Sequence, residues 1–366
     1  MTRLRTAVIG AGHLGRIHAR LASNNGLLEL VGVADVDLIA RQQMAESVDC
    51  PVVEDYRTLL GNIDAAILVT PTHNHFDVGR VLLEKGLHVF IEKPLTTDVA
   101  QANQLVTLAT RQRLTLQVGH VERFNPAYLA ATADLSEPKY IESKRTSGFT
   151  FRSTDIGVVL DVMIHDLDLI LDCVDSEVVE VQAMGLAVFG EHEDVAHARL
   201  EFANGCVANV SASRISPKVE RSMSIWGVDG YVGIDFAEGT VEKIGVEQQL
   251  LAEHQPLDDL DIERKMHLRD HLFETLLTRE TTCATATNQI DAELTEFAHN
   301  VSNGTRPTVS GSDGRDAVRL AQLVVSSLQQ HRWDSVSDGR VGPHAELLPR
   351  ILASPFLSPT PRRKTG

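Results

Sequence analysis

Close to its start the chain reads Gly10-Ala11-Gly12-His13-Leu14-Gly15, directly after the apolar run Thr6–Ile9 and directly before a segment of helical period. A glycine fingerprint in that setting admits few folds, because it is the strand–turn–helix of a dinucleotide-binding βαβ unit. Gly10 makes the tight turn, Gly12 lets the backbone approach a pyrophosphate, and Gly15 lets the helix lie close to the sheet. His13 and Leu14 open that helix, whose unpaired N–H groups would face the phosphates. Twenty positions after Gly15, the run VGVADVD places Asp35 where a carboxylate accepts from the adenosine ribose hydroxyls. A carboxylate there repels an added 2′-phosphate, so the expected cofactor is NAD rather than NADP. Two alternatives stay open: Arg41 reaching a 2′-phosphate, and Asp35 merely capping the helix that starts near Asp37.

From residue 5 to about 120, short apolar runs alternate with helical segments, the pattern of a parallel, doubly wound sheet. Strands are expected at Thr6–Ile9, Leu28–Ala34, Ala65–Val69, His88–Ile91 and Thr115–Val118, and helices at His13–Ser23, Leu38–Ser47, His75–Glu84 and Asp98–Arg111. After Asn125 the texture changes. A helix near Pro126–Ala131 leads to alternating runs at Tyr140–Arg145, Val178–Phe189, Ala196–Phe202, Gly205–Ser213 and Arg221–Trp226, which suggest a largely antiparallel sheet with one covered face. Further helices are expected around Val158–Asp172, Asp291–Asn303 and Gly314–Gln330, while Leu251–Thr285 resists assignment. The fold class is therefore α/β: a Rossmann domain over 1–122, a second α/β domain over 123–335 whose final helix can pack back on the first, and a polar tail over 336–366 expected to be partly disordered.

A formal charge of −16 argues against nucleic acid or an anionic membrane as a partner, since both demand a concentrated basic surface. No apolar run approaches the roughly 20 residues of a membrane helix. Cys50, Cys173, Cys206 and Cys283 form no CxxC pair, so neither a zinc site nor a disulfide framework is indicated. With no apolar leader ahead of the first strand, a cytoplasmic protein is expected.

The chemistry-bearing residues gather at the ends of predicted strands. Thr70-Pro71-Thr72-His73-Asn74-His75 follows one of them, at the carboxyl edge where such sheets bind ligands; Thr70, Pro71 and His75 are expected along the cofactor. His73 and His75 invite a metal reading, but no third ligand lies nearby, and no metal is expected. The next strand ends in Glu92-Lys93-Pro94, which puts Lys93 near the nicotinamide, able to stabilise an alkoxide as hydride leaves; on residue type alone a surface lysine before a proline-set turn is the commoner case. In Gly157–Asp168, Asp161 and His165 stand four apart on one helical face. A histidine can take the hydroxyl proton of an alcohol and a carboxylate can orient it, although such a pair is more often structural. Asp166 and Asp168 read as helix-surface or supporting groups.

The combination GAGHLGRIHAR, TPTHNH, EKPLT and DxxxH resembles the Gfo/Idh/MocA family of nicotinamide-dependent oxidoreductases, with EKP the most telling element. The likeness extends to QIDAELTEFAHNVSNGTRPTVSGSDGRDAVRLAQLVVSSL and leaves out only 251–285 and the tail after 335. It implies a Rossmann domain plus an α/β domain with a large sheet that mediates a homo-dimer or homo-tetramer, and it casts Lys93, Asp161 and His165 as the family's Lys, Asp and His. VGHVERFNPAY and GVVLDVMIHDLDLIL look closest to the branch that oxidises a nucleotide sugar, UDP-N-acetylglucosamine, to its 3-keto form ahead of transamination to an amino sugar for lipid A or another glycan. A sugar diphosphate needs cations, and Arg123, Lys144, Arg145 and Arg152 are candidates, or else surface charges paired with carboxylates. Glu122 and Asn125 could position substrate or belong to the linker and the next helix cap, and His120 could approach the nicotinamide or be a structural histidine. The expected reaction is oxidation of a sugar ring hydroxyl by NAD⁺; the alternatives are a dehydrogenase for a free polyol, sugar or inositol, and a nonenzymatic NAD-binding regulator.

Overall fold

The computed structural model describes residues 2–133, 135–150, 155–228, 230–246, 261–272, 277–333 and 340–344. Six parallel strands form the first sheet: β1 (Leu4–Ile9), β2 (Leu28–Ala34), β3 (Val52–Val53), β4 (Ala65–Leu68), β5 (His88–Glu92) and β6 (Leu116–Gly119), in spatial order β3-β2-β1-β4-β5-β6. The order reverses between β1 and β4, so their carboxyl ends open a crevice. Helices α1 (His13–Asn24), α2 (Leu38–Ala45), α3 (His75–Glu84) and α4 (Val99–Gln112) connect the strands. Both faces of a parallel sheet are covered, which is why all four residues of β4 are apolar and buried. Aspartates start two of the helices: Asp37 accepts from Ala40 N at 2.7 Å, and Asp98 from Ala100 N at 2.7 Å and Gln101 N at 3.1 Å. Only β3, two residues long, escapes sequence periodicity in this half.

The second sheet has eight strands: β7 (Pro138–Thr146), β8 (Val178–Leu186), β9 (Val195–Phe202), β10 (Val207–Ser213), β11 (Glu220–Gly227), β12 (Gly230–Asp235), β13 (Thr240–Val246) and β14 (Leu277–Cys283). Their order is β14-β13-β12-β11-β7-β10-β9-β8, and every pair is antiparallel except β7 with β10. One face is apolar and covered: Ala196, Ala198, Leu200 and Phe202 of β9 lie beside Ala208, Val210 and Ala212 of β10. That face receives α5 (Pro126–Thr132), α6 (Ile164–Cys173) and, at β8, α9 (Gly311–Gln330). The unassigned 251–285 stretch contributes α7 (Ile262–Asp270) and β14 within its described part.

Two late helices return to the first domain. α8 (Gln289–Asn303) packs on α1 and sets Phe297 against Phe90 of β5, ring centroids 6.0 Å apart. α9 lies against α4 and β6 so closely that a Cβ at Gly314 would stand 2.5 Å from Val118 Cγ2. The second domain is thus locked to the first by the same segment that closes its own sheet. Of the tail, Arg332 and Val341 form an antiparallel bridge, and Ala187 N donates to Pro343 O at 3.0 Å; residues 334–339 and 345–366 lie outside the described residues.

Candidate active site

The glycine turn has the geometry its spacing demands. Gly10 adopts φ +110°, and a Cβ there would stand 2.5 Å from Val69 O. A Cβ on Gly15 would stand 2.0 Å from Gly10 O, so helix and turn touch backbone to backbone. Gly12 differs: nothing lies within 4 Å of its would-be Cβ. It caps α1 without any side-chain hydrogen bond, leaving the first N–H groups of the helix, beside exposed His13 and Leu14, facing open space. That space continues into a cleft of about 580 Å³ lined by Gly10, Gly12, Asp35, Val69, Thr70 and Pro71, among others.

Asp35 sits on the cleft wall, its Oδ2 accepting from Ala11 N at 2.6 Å and its Oδ1 from Asp37 N at 2.8 Å. Each oxygen keeps a further lone pair for a ribose hydroxyl. The α2 cap is Asp37 instead. Arg41 is tied to the Asp35 and Val36 carbonyls, both at 2.9 Å, and to Glu54 at 3.2 Å, so its guanidinium is already engaged. The buried Thr70 Oγ1 has no hydrogen-bond partner among the described residues. Open N–H groups, a cradle beside Gly12, a carboxylate at the β2 end and an orphaned hydroxyl together fit a dinucleotide.

Lys93 follows β5 into the same mouth, and its Nζ meets Asp161, 2.7 Å from the carbonyl oxygen and 3.4 Å from Oδ1. Asp161 lies in a π-turn over Val159–Met163 that leads into α6, where a plain α-helix was expected. Such wide turns recur at functional sites. His165 follows one residue into α6, its Nδ1 buried and without a hydrogen-bond partner among the described residues. Burial, and then the charges of Lys93 and Arg145, hold its ring well below the ordinary histidine value, so it is neutral at neutral pH. The structure therefore brings Lys93, Asp161 and His165 together, although they lie on different elements of two domains.

Other expectations need correction. His75 does not face the cofactor: its ring nitrogens lie 2.8 Å from Pro94 O and 2.8 Å from Thr70 O, and the neutral ring that burial favours donates to one of these carbonyls. Glu92 is likewise buried behind the mouth, bonded by His18 Nε2 at 2.7 Å and by Lys93 N at 3.1 Å. Arg123 is spent inside the protein, its Nε 2.7 Å from Asp168 and its Nη1 on Asp172. Glu122 accepts from Arg145 at 2.7 Å and from Asn125 Nδ2 at 2.9 Å, and Asn125 Oδ1 caps α5 through Ala127 N. Of the two readings of Asp166 and Asp168, the supporting one holds and the helix-surface one does not: they are the buried partners of Arg145 and Arg123. Lys144 pairs with Glu220 at 3.0 Å, and Arg152 lies outside the described residues. His120 is fully buried next to Asp168, Nδ1 to Oδ2 3.9 Å, and neither ring nitrogen has a hydrogen-bond partner among the described residues.

Sequence reasoning missed the support beneath Lys93. His18 from α1, Glu92 from β5 and Glu293 from α8 bring one donor atom each to within 4.8 Å of one another, all buried. Burial pushes Glu92 up, but His18 and the Lys93 charge outweigh it and leave the carboxyl below its ordinary value. Neither oxygen of Glu293 has a hydrogen-bond partner among the described residues, and burial together with the Glu92 charge pushes its carboxyl well above the ordinary value. The two carboxyls are thus driven in opposite directions, Glu92 toward the ionised form and Glu293 toward the protonated one. Nothing local in the sequence marks Glu293, which reaches the cluster from far along the chain.

Two family models match the chain: the NAD-binding Rossmann fold of the Gfo/Idh/MocA oxidoreductases over residues 4–120, and the Gfo/Idh/MocA C-terminal domain over residues 128–232. UDP-N-acetylglucosamine 3-dehydrogenase of Acidithiobacillus ferrooxidans is 40% identical over 243 residues, 66% of this chain and 77% of that protein. The chain belongs to the Gfo/Idh/MocA family. As a member it is an oxidoreductase acting on CH–OH groups, with an NAD-binding Rossmann domain. The solved structure of that Acidithiobacillus enzyme matches with a TM-score of 0.78 at 31% identity, covering 90% of this chain and 98% of that one. Inositol 2-dehydrogenase of Rhizobium meliloti is 26% identical over 353 residues, 91% of this chain and 99% of that protein. A levoglucosan dehydrogenase in complex with NADH shares the fold at a TM-score of 0.75 and 16% identity, over 89% of this chain and 97% of that one. The two matched ranges take in the whole of the first sheet and strands β7 to β11 of the second.

Proposed function

We propose that this Gfo/Idh/MocA oxidoreductase oxidises the 3-hydroxyl of UDP-N-acetylglucosamine to a ketone with NAD⁺, on the way to an amino sugar. The observation that carries the chemistry is the meeting of Lys93 Nζ with Asp161, at 2.7 Å, at the mouth of the dinucleotide cleft and one turn before a neutral His165. The substrate assignment rests on the 40% identity to the Acidithiobacillus enzyme.

NAD⁺, when bound, supplies the hydride acceptor. His165 takes the hydroxyl proton at Nε2, because Nδ1 is shut away from the cleft. Lys93 presents its ammonium to the oxygen on which negative charge develops while the C–H bond electrons leave as hydride. Asp161 holds Lys93 in place and accepts from a neighbouring sugar hydroxyl. The preference for NAD over NADP follows from Asp35 on the cleft wall and from Arg41 being tied to Glu54 and two carbonyls. A second reading, oxidation of a free polyol, is favoured by the match to inositol 2-dehydrogenase along 91% of the chain. Reduced-nicotinamide absorbance with NAD⁺ or NADP⁺ against UDP-N-acetylglucosamine, UDP-glucose, glucose and myo-inositol separates the two. Signal only with UDP-N-acetylglucosamine and NAD⁺ supports the proposal; turnover of myo-inositol alone replaces it with the second reading.

A further inference from the structure

Of the cations first suited to a substrate diphosphate, the three among the described residues are occupied. Arg123 and Arg145 are consumed by buried carboxylates, and Lys144 pairs with Glu220. Arg221 at the start of β11 is different. In the antiparallel register it stands opposite Arg145. Side chains alternate along a strand, so it shares the helix-covered face with Met223 and Ile225, both buried further along β11. Arg145 on that face reaches Asp166, the residue after His165, at 2.8 Å. One strand over, Arg221 is exposed, and no hydrogen bond or ion pair engages its guanidinium among the described residues. Its charge also bears on His165, along with those of Lys93 and Arg145. An unengaged guanidinium on the open end of this face, within electrostatic reach of the base, is placed for an anion that comes in with the substrate.

We propose that Arg221 is a specificity-determining residue that binds the diphosphate of a nucleotide-sugar substrate. The inference rests on the function proposed above and names the group that selects for it. In such a sugar the diphosphate hangs from C1, two ring carbons from the reacting C3, so an anion site belongs about one side-chain length from the base. An arginine can fork onto phosphate oxygens where a lysine offers a single point charge. A free polyol, which carries no anion, gains nothing from it.

The test is calorimetric titration of UDP, which carries the diphosphate but no sugar to oxidise, into the full chain with NAD⁺ present, for wild type, Arg221→Ala and Arg221→Lys. Loss of a charged hydrogen bond predicts UDP binding roughly 10- to 100-fold weaker in the alanine variant, with lysine recovering part of it. Because Arg221 is exposed, melting temperatures should agree among the three proteins. In steady state the alanine variant should raise KM for UDP-N-acetylglucosamine by a similar factor, with kcat within about threefold. Equal UDP affinity in wild type and Arg221→Ala, or no UDP binding to wild type, overturns the inference. If UDP binding depends on Arg221 but wild type leaves UDP-N-acetylglucosamine unoxidised, the substrate assignment falls and the anion site stands. If Arg221→Ala oxidises UDP-N-acetylglucosamine with wild-type KM, the reverse holds.

Discussion

Substituting Gly12 and Gly15 by alanine separates cofactor binding from folding. At Gly12 the backbone has φ −65° and ψ −164°, which alanine adopts freely, and no protein atom lies within 4 Å of the new Cβ. The loss of a favourable N-cap residue costs below about 1 kcal/mol, or less than about 1.5 °C in melting temperature for a chain of this size. The new methyl nevertheless fills the space in front of the α1 N–H groups. Losing two charged hydrogen bonds to a pyrophosphate, each worth about 1.5 kcal/mol or more, weakens NAD⁺ by about 100-fold. Gly15→Ala puts its Cβ 2.0 Å from a backbone oxygen that cannot rotate away, so it should destabilise the fold by about 3 kcal/mol or more. The assay is thermal melting with and without NAD⁺ at about 100 times the wild-type Kd, where the ligand adds about 2.7 kcal/mol to wild type. Gly12→Ala should melt near wild type without NAD⁺ and gain almost nothing from it; Gly15→Ala should melt far lower in both conditions. A Gly12→Ala protein that gains as much from NAD⁺ as wild type would refute the reasoning.

Three other predictions follow from the site. His165→Ala and Lys93→Ala should each lower kcat by about 10²- to 10⁴-fold while the protein still binds NADH; since burial holds the wild-type His165 ring well below its ordinary 6.5, the acid limb of the kcat/KM profile should fall below that pH. Burial and the Glu92 charge make Glu293 keep its proton to higher pH in the folded chain than in the unfolded chain, where it is lost above about 4.5, so wild-type stability is lost as pH rises past that value toward the raised one. Glu293→Gln cannot ionise, and urea midpoints should show its advantage over wild type widening between pH 5 and pH 7.5; a constant or shrinking difference contradicts the protonated assignment. Asp35→Ala frees the Ala11 and Asp37 N–H groups and removes the repulsion against a 2′-phosphate, so the ratio of NAD⁺ to NADP⁺ affinity, read by fluorescence titration of the reduced forms, should fall by about tenfold.

What the sequence made legible was local or periodic. The glycine turn, Asp35 and the strand ends carrying Thr70 and Lys93 could be read because a doubly wound sheet places its ligands at carboxyl ends. Lys93, Asp161 and His165 could be named because each stands beside a recognisable turn or helix. The fates of Arg123 and Arg145 could not, since their carboxylates on α6 come near them only after α5, β7 and α6 have packed. Glu293 was hidden for the same reason, with Glu92 and His18 brought to it from two other elements. Strand β12 carries glycines at two of its six positions, which weakens its periodicity. Strand β14, LTRETTC, is a polar edge strand whose charges blunt pairing with other chains and so erase the apolar pattern that would reveal it.

The central claim is that hydride leaves C3 of a nucleotide sugar. Its most direct test is one turnover with enzyme in stoichiometric amount, NAD⁺, and UDP-N-acetylglucosamine carrying deuterium at C3, followed by mass analysis of the reduced cofactor. NADH heavier by one deuterium, absent with His165→Ala, is the predicted result; NADH formed without the label, or none formed by the wild type, contradicts it.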